Sequence, residues 1–316
     1  MNDSRYPLMI STETVDVVGT GFTVLDRIYA DLRAVASEEL GGSCGNVLLS
    51  LAMLDRCVAP VLNLGLDDVG NRLVGEFKGA GAETRFIRRR SDRRSPVLAQ
   101  HLDTVSGSHF FAFTCPETNE ELPRYEPIEW EDVEHARPML MNCAIFYTDR
   151  LSDAIVEAME TAAGAGAIVY FEPSEVQRAD LFRRAVAVTT VLKFSADRLD
   201  GFMDEGVPGT AISIVTYGEA GLELRMGSNR HWCHSYPASE VRDTCGSGDM
   251  VSVGLIDWLL AHRPSRQSDL NLDMLVPGIE AGQRLAAENC AYVGARGLFR
   301  QRGAAYARSV LSGEAE

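Results

Sequence analysis

Short apolar segments alternate with longer amphipathic ones along most of the chain. Buried strands are predicted where a short apolar run is bounded by turn residues, and such runs lie at 15–18, 59–66, 144–147, 167–171, 188–194 and 211–217. Helical spacing of apolar residues fills the intervals, at 69–80, 152–163, 178–187 and 197–204. Because strands that alternate with helices form βαβ units, we expect a doubly wound α/β fold, with a mainly parallel sheet and helices on both faces.

One region departs from this alternation. Residues 96–103 and 108–114 are two β-rich runs joined through Thr104-Val105-Ser106-Gly107, a pattern typical of a β-hairpin. The stretch 22–31 could supply a further strand to it. A hairpin inserted into an α/β protein has a face left to cover something else. We therefore expect a small β lid from segments inserted at about 22–34 and 95–115 of a single domain, 1–316.

The composition indicates a globular protein. The chain has 316 residues, of which 46% are hydrophobic and 24% charged, and this length can bury a core without disulfides or metals. The seven cysteines are scattered and never spaced as C-x-x-C, which favours reduced thiols. We see neither a signal-peptide pattern nor an apolar run of the roughly 18 residues that a membrane helix needs. A cytoplasmic protein with no membrane partner is expected.

Charge and lysine content exclude two classes of function. A formal charge of -15 repels a phosphate backbone, so no nucleic-acid partner is expected. The only lysines, Lys78 and Lys193, follow Phe77 and Leu192. The G-x-x-x-x-G-K-[ST] phosphate loop needs a Gly-Lys pair and is therefore absent. Six arginines between Arg85 and Arg94 form either a solvated basic turn or a site for an anionic substrate.

The most informative segment is Arg242-Asp-Thr-Cys-Gly-Ser-Gly-Asp249, which runs directly into an apolar helix predicted at 250–260. Small residues at a helix start leave free N–H groups that can bind an anion, and glycines let a phosphate approach the backbone. A carboxylate beside such an anion hole suits a base that deprotonates an attacking hydroxyl. Asp249 is that base, or it merely supports the first helical turn.

A second polar segment, Gly41-Gly-Ser-Cys-Gly-Asn46, precedes an apolar helix predicted at 47–54. Adjacent glycines let a small ligand pack on the main chain, and Asn46 can bond sugar hydroxyls. The same letters fit G-x-S-x-G, the elbow of α/β-hydrolases, with Ser43 as nucleophile. That elbow follows a buried strand, whereas residues 35–40 carry too many polar side chains for one. The hydrolase interpretation is therefore disfavoured.

Two other patterns are weak. His231, Cys233 and His234 lie close together, but no second metal-ligand pair accompanies them, so a polar loop is favoured over a zinc site. Gly-x-Gly pairs at 19/21, 164/166 and 246/248 never extend to G-x-G-x-x-G. A dinucleotide-binding fingerprint is therefore not indicated.

Together the motifs resemble the ribokinase family of carbohydrate kinases, also called the PfkB family, from about residue 15 to 297. A Gly-Gly-x-x-x-Asn signature and a preceding Asp are matched by Asp26, Gly41, Gly42 and Asn46. A later Asp-Thr-x-Gly-Ala/Ser-Gly-Asp signature is matched at 243–249. Between them, a Thr-x-Gly-x-x-Gly turn is matched by Thr216, Gly218 and Gly221.

The resemblance implies a ribokinase-like fold and an ATP-dependent transfer of phosphate to a sugar hydroxyl, with Mg²⁺ and a homodimer formed through the β lid. Its implied catalytic residues are the base Asp249 and an anion hole made by Gly246, Ser247 and Gly248. The acceptor would be held by Asp26, Gly41, Gly42 and Asn46, and the nucleotide by Lys193, Thr216, Gly218, Gly221 and Cys245. A monovalent cation, K⁺, is implied near Asp243.

Two departures and two alternatives accompany this resemblance. The family's Asn-x-x-Glu element, linked to Mg²⁺, is replaced by Ser195-Ala-Asp-Arg198, and its Asp-Pro-Asn by Glu172-Pro-Ser174. They leave the use of Mg²⁺ open. A nucleoside kinase is an alternative because Phe110, Phe111 and Phe113 could stack on a base, although alternation sends Phe111 to the opposite face from the other two. A catalytically silent ligand-binding homologue is the other alternative.

Overall fold

The computed structural model describes residues 15–29, 37–103, 109–203, 212–262 and 269–315. The strands are β1 (Val15–Thr20), β2 (Val24–Tyr29), β3 (Ser37–Gly41), β4 (Val58–Pro60), β5 (Leu62–Gly65), β6 (Ile87–Arg90), β7 (Val97–Leu102), β8 (His109–Ala112), β9 (Cys143–Thr148), β10 (Ile168–Phe171), β11 (Val191–Ser195), β12 (Ile212–Thr216), β13 (Leu222–Met226) and β14 (Asn229–Cys233). The helices are α1 (Ser43–Met53), α2 (Asp68–Gly79), α3 (Trp130–Leu140), α4 (Asp153–Gly164), α5 (Ala179–Val188), α6 (Ala196–Met203), α7 (Ser247–Ala261), α8 (Leu272–Asn289) and α9 (Gly297–Ser312).

The central sheet has the strand order β14-β13-β12-β11-β10-β9-β1-β4. Its neighbours from β4 to β12 are parallel, and β13 and β14 add an antiparallel edge. The predicted doubly wound, mainly parallel α/β sheet is confirmed. Because the carboxyl ends of parallel strands meet at one edge of a sheet, polar residues that follow these strands converge there.

Side chains of the central sheet point alternately to two hydrophobic layers. Val17 belongs to the layer that contains helices α1, α2, α7, α8 and α9, whereas its neighbour Val18 belongs to the layer that contains α3 to α6. Helices α7 and α8 approach so closely that a Cβ at Gly254 would overlap the backbone of Gly282. No helix in the described ranges is long and apolar enough to cross a membrane.

A second, four-stranded sheet has the order β3-β2-β7-β8. It includes strands from the segments that were predicted to form a lid. Strands β7 and β8 pair antiparallel, which confirms the predicted hairpin, and β2 runs parallel to β7. The turn predicted at 104–107 and the lid residues 30–34 lie outside the described residues. Phe111 pairs with Gln100 and Phe110 with His101, so these two rings point to opposite faces. Alternation puts Phe113 on the same face as Phe111, so the expectation that Phe111 faces away from both other rings was wrong.

Some predicted boundaries were wrong. The segment predicted as one strand at 59–66 divides at Val61 into β4, which pairs with β1, and β5, which pairs with β6 in a two-stranded sheet. Pro60 lacks the N–H that would continue a ladder, so the chain leaves the edge of the central sheet there. The strand predicted at 188–194 begins only at Val191, because α5 continues to Val188. Patterns did not predict β3, β6, β13, β14, α3, α8 or α9.

The arginines between 85 and 94 mostly bind acceptors within the chain. Arg88 forms an ion pair with Asp132 at 3.2 Å, and Arg90 pairs with Glu129 at 2.5 Å. Arg89 donates to the carbonyl of Gly65. These contacts tie β6 to its surroundings and give no support to the anionic-substrate interpretation.

Candidate active site

The N-terminus of α7 forms the candidate anion hole. Its N-cap is Gly246, at φ +74°, a left-handed conformation that favours glycine. A Cβ there would lie 2.5 Å from the Cβ of Ala295, so close packing also requires glycine. Ser247 Oγ donates to the carbonyl of Thr244 at 2.9 Å. The first-turn N–H groups of a helix have no intrahelical acceptor, so this turn can present donors to an anion. The N–H of Ser247 already makes one long hydrogen bond, 3.3 Å, to the Thr244 carbonyl.

Asp249 lies in this first turn and contacts the other signature directly. Nδ2 of Asn46 donates to Oδ2 of Asp249 at 2.7 Å, across 203 residues of sequence. Both side chains are buried. Burial and the Glu172 carboxylate raise the pKa of Asp249 to about 6, while the Asn46 amide and Lys193 oppose that rise. At pH 7 to 8 the carboxylate is therefore ionised yet poorly solvated, as a general base should be.

Arg296 is a buried residue of this site that the sequence patterns did not reveal. Its guanidinium donates to Oδ1 of Asn46 and to the carbonyl of Leu40, and it lies 3.7 Å from Glu76. Since the amide oxygen of Asn46 accepts from Arg296, the amide NH₂ is turned towards Asp249. A charged residue in a turn is usually exposed, so the sequence alone does not indicate that Arg296 is buried in this site.

Asp26 follows the turn after β1 and lies on β2, packed against the main chain at Gly41. It is 4% exposed, and its Oδ1 has no hydrogen-bond partner among the described residues. Burial raises the pKa of Asp26 to about 7, although Arg296 lowers it. An unpartnered buried carboxylate oxygen can accept a hydrogen bond from a ligand hydroxyl.

Gly42 closes the turn between β3 and α1. It is the N-cap of α1 at φ +78°, where a Cβ would overlap the carbonyl of Phe22. Gly41 and Gly42 therefore bring the main chain against Asp26 and Phe22. The structure thus gathers the four predicted acceptor residues, Asp26, Gly41, Gly42 and Asn46, at the lid side of Asp249.

Lys193, in the middle of β11, lies beside the anion hole. It is 3% exposed and forms an ion pair with Glu172. Its Nζ lies 3.5 Å from the position of a Cβ built on Gly248. Glu172 also accepts from Ser252 Oγ at 2.6 Å and from Tyr147 OH at 3.1 Å. A buried ammonium group thus faces the first turn of α7.

Asp149 is a further acidic residue that our reading of the sequence missed. It is 1% exposed, accepts from the N–H of Phe22 at 2.8 Å and pairs with Arg150 at 3.0 Å. Burial raises the pKa of Asp149 to about 6, while Arg150 lowers it. Its position directly after β9, at the carboxyl edge of the parallel sheet, was a signal that could have found it.

The predicted nucleotide turn connects β12 to β13. Thr216 ends β12, and Gly218 has φ +60° with open space around it. Gly221 has φ +119°, and a Cβ there would overlap the carbonyl of Cys233. The structure thus gives Gly221 a packing role, so its replacement would disturb the fold as well as any bound nucleotide.

Asp243 and Cys245 precede the anion hole. Cys245 is a buried thiol, and its N–H donates to Oδ1 of Asp243 at 2.8 Å. Oδ2 of Asp243 accepts from the N–H of Gly294 at 2.8 Å and from Gln100 Nε2 at 3.2 Å. Burial alone would raise the pKa of Asp243, but these donors and His109 hold it below its usual range. N–H donors take three of the four acceptor positions of this fully buried carboxylate, so it is built to hold these segments together more than to ligate a K⁺ ion.

Metal ligands are few in this region. Across the described ranges, no group of three or more His, Cys, Asp or Glu side chains could hold a metal ion. The polar loop expected at His231, Cys233 and His234 was wrong for the first two, which lie on the edge strand β14. Ser195 and Arg198 occupy the positions of the Asn-x-x-Glu element. The described part of the chain therefore offers no set of three side chains built to hold Mg²⁺.

The residues before Ser43 form a strand, contrary to expectation. A strand, β3, does precede Ser43, although residues 35–40 were expected to exclude a buried strand. Glu39 and Leu40 are buried, because Glu39 pairs with Arg300 and Leu40 enters the core. However, β3 is the edge strand of the lid and not a strand of the central parallel sheet. This placement differs from that of a nucleophile elbow.

Comparison with known proteins adds independent evidence. The profile of the pfkB family carbohydrate kinases matches residues 34–296. A sugar kinase from Pyrococcus horikoshii is 20% identical over 259 residues, covering 77% of this chain and 82% of its own. The bifunctional protein HldE of Alkalilimnicola ehrlichii is 25% identical over 264 residues; the match covers 78% of this chain but only 53% of HldE, about half its length.

Solved structures share the fold. A fructokinase with bound ATP from Xylella fastidiosa superposes with a TM-score of 0.75 at 20% identity, covering 95% of this chain and 99% of its own. Ribokinase from Giardia lamblia gives a TM-score of 0.72 at 15% identity, with 89% and 94% covered. The sheet topology and the matched profile lead to one conclusion: this chain belongs to the pfkB family of carbohydrate kinases.

Proposed function

We propose that the protein transfers the γ-phosphoryl group of ATP to a sugar hydroxyl, with Asp249 as the general base. The contact between Asn46 and Asp249 carries this proposal. It joins the segment suited to holding an acceptor with the segment suited to holding a phosphate. An acceptor hydroxyl placed between them would lie within reach of both the base and the phosphorus atom.

The proposed step balances without another reactant. The acceptor O–H bond breaks, and its proton passes to the carboxylate of Asp249. The acceptor oxygen bonds to the γ-phosphorus, and the bond to the β–γ bridging oxygen breaks, so that ADP leaves. The Asn46 amide holds the Asp249 carboxylate at one oxygen and thereby fixes its orientation. Such positioning and proton transfer account for much of the catalysis in phosphoryl transfer.

Charge on the transferred group would be stabilised by the first turn of α7 and by Lys193. The backbone N–H groups of Gly246, Ser247 and Gly248 supply the preorganised donors. The buried ammonium of Lys193 lies beside Gly248 and adds a positive charge in a water-poor site. Mg²⁺ would arrive bound to the ATP phosphates, because this ion usually takes only one or two ligands from the protein.

The nucleotide would extend from the anion hole along the turn between β12 and β13. Ser235 Oγ donates to the carbonyl of Glu219 within that turn, which connects it to the segment after β14. A cavity of about 390 Å³ lies against this segment and α8, lined in part by Trp232, Tyr236 and Gln283. Its size and its aromatic walls suit the base of the nucleotide.

The acceptor would lie under the lid, between Asp26 and Asp249. The unpartnered Oδ1 of Asp26 and the buried carboxylate of Asp149 can accept hydrogen bonds from sugar hydroxyls. A nucleoside acceptor needs stacking, and alternation turns Phe111, but not Phe110, to the face of the lid sheet that carries Gln100. Phe113 follows the end of β8 and has the Arg124 guanidinium over its ring. One ring is then left to stack on a base, which favours a sugar.

The experiment is a screen of phosphate transfer from ATP with Mg²⁺ over hexoses, pentoses, sugar phosphates and nucleosides. Product formation is measured by mass, and ATP hydrolysis without acceptor is the blank. The proposal expects phosphorylation of at least one sugar at a rate above the blank. Turnover of nucleosides alone would favour the nucleoside kinase. Binding of sugars without turnover of any compound would favour a silent homologue.

A further inference from the structure

The carboxylate of Asp243 joins three separate segments of the protein. It is completely buried, and it accepts hydrogen bonds from the lid, from the loop before α7 and from the turn before α9. The donor from the lid is Nε2 of Gln100 on β7, itself 1% exposed. Nδ1 of His109 on β8 lies nearby, 3.6 Å from Oδ1.

Gln100 lies on the same face of the lid sheet as the candidate acceptor ligand. Asp26 pairs with Leu98, and because side chains alternate, Gln100 points to the same side as Leu98 and Asp26. An acceptor bound at Asp26 would therefore hold β2, and through the pairing of the two strands it would also hold β7, which carries Gln100. The same strand then holds Asp243 through a hydrogen bond to a charged group, a bond stronger than one between neutral groups.

Asp243 in turn determines the shape of the anion hole. The N–H of Cys245 that it accepts belongs to the residue just before Gly246, the N-cap of α7. The N–H of Gly294 belongs to the residue just before Ala295, on which Gly246 packs. Movement of this carboxylate would therefore displace both the cap and the surface that supports it.

We propose that Gln100 is a positioning residue that couples the lid to the anion hole through Asp243. In this arrangement Asp243 anchors the lid instead of binding a monovalent cation. The consequence is that an acceptor that steadies the lid also steadies the phosphoryl-binding amides, which favours transfer to the acceptor over transfer to water. The role in turnover rests on the proposed kinase activity, whereas the coupling itself does not.

Gln100→Met tests the coupling because methionine is similar in length and lacks the N–H donor. Amide exchange of residues 244–248 should become about tenfold faster or more, as expected for the loss of a hydrogen bond to a charged group. The matched control is His101→Met, on the same strand but on the opposite face, where His101 stacks on Phe110. In the control the exchange of 244–248 should remain that of the parent protein.

Kinetics with an acceptor that the parent protein phosphorylates give a second readout. In Gln100→Met, kcat should fall about tenfold while KM for ATP changes little, and kcat of the parent should be equal in KCl and in tetramethylammonium chloride. Unchanged exchange of 244–248 in Gln100→Met would overturn the coupling even if no acceptor is known. A tenfold stimulation of the parent by K⁺ would overturn the anchoring role of Asp243.

A third measurement applies if Gln100→Met does not fold. Amide exchange of the parent at increasing low urea concentrations reports whether segments open together. Coupling predicts that 97–102 and 244–248 open with the same dependence on urea. Separate openings of the two segments would overturn it.

Discussion

Several ionisable side chains of this protein are buried away from water. Asp26, Asp149, Asp243 and Asp249 are all buried within one region, and Arg296 and Lys193 are the buried cations beside them. Burial raises the pKa of three of these carboxyls, and only Asp243, held by N–H donors, is lowered. A raised carboxyl pKa costs stability at neutral pH, and strongly shifted pKa values are typical of functional sites.

Asp26→Asn should make the protein more stable at pH 8. The pKa of Asp26 in the folded protein is about 7, above the unfolded value, so folding binds protons and stability is lost as pH rises from about 4 to 7. Removing the charge should restore on the order of 2–4 kcal/mol at pH 8 and change little at pH 4. Thermal denaturation at both pH values measures this difference.

The matched control for this prediction is Asp55→Asn, because the Asp55 side chain is 83% exposed and pairs with Arg308 on the surface. An exposed pair contributes little, so stability should shift by less than about 1 kcal/mol at either pH. A lower stability of Asp26→Asn than of the parent at pH 8 would contradict the assignment of Asp26 as a strained, ligand-facing carboxylate.

At the scale of elements, function lies in the connections between regular structures. The anion hole is the start of α7, the acceptor segment is the turn from β3 to α1, and the nucleotide turn connects β12 to β13. The helices and parallel strands position these turns, and the glycines within them adopt left-handed conformations at Gly42, Gly218 and Gly246. Replacement of a glycine therefore tests a turn only where space permits.

Gly218→Asn tests the nucleotide turn without disturbing the packing. Asparagine tolerates a left-handed backbone, and no atom lies within 4 Å of a Cβ built on Gly218, so the fold should persist. The affinity for ATP should fall at least fivefold. Calorimetry of ATP binding measures it. Gly227→Asn is the matched control, since Gly227 has a similar φ of +57° and open space in the turn from β13 to β14. Equal ATP affinity in both variants would remove this turn from the nucleotide site.

The lid strands should respond to the acceptor. Residues 97–102 and 109–114 should exchange their amide hydrogens more slowly when the protein binds a sugar that it can phosphorylate. The reason is that the acceptor would lie against Asp26 on the lid sheet. Residues 191–195 in the central sheet serve as the reference and should not change. Identical exchange of the lid strands in both states would leave the lid as an interface and not a cover.

At the scale of the molecule, the predicted homodimer through the lid remains to be tested. Phe110 is 59% exposed on β8, which is an edge strand of the lid sheet. If this face binds a second copy, Phe110→Glu should give monomers at micromolar concentration. Trp130→Glu, at a side chain 52% exposed on α3, should leave the dimer intact. Sedimentation velocity measures both, and a monomeric parent would contradict the prediction.

The sequence predicted the fold class and the site motifs because both depend on local patterns. Strand and helix periodicity reports burial, and glycines beside Asp249 report a helix start that can bind an anion. Contacts between distant segments have no such pattern. The bond between Asn46 and Asp249, the buried Arg296 behind it and the anchoring of Gln100 to Asp243 each depend on tertiary packing. The division of 59–66 into two sheets depends on it too.

The most direct test of the central claim is the turnover of Asp249→Asn with a sugar that the parent phosphorylates. Asparagine keeps the size of the side chain and an oxygen for the Asn46 amide, but it cannot take a proton. We expect kcat to fall by about 10² to 10⁴, the usual contribution of a general base, with ATP binding retained. Asp257→Asn, in the same helix where Asp257 pairs with Arg56 at 2.7 Å, is the control and should keep parental kcat. A kcat of Asp249→Asn within about threefold of the parent would contradict the assignment of the base and the proposed mechanism with it.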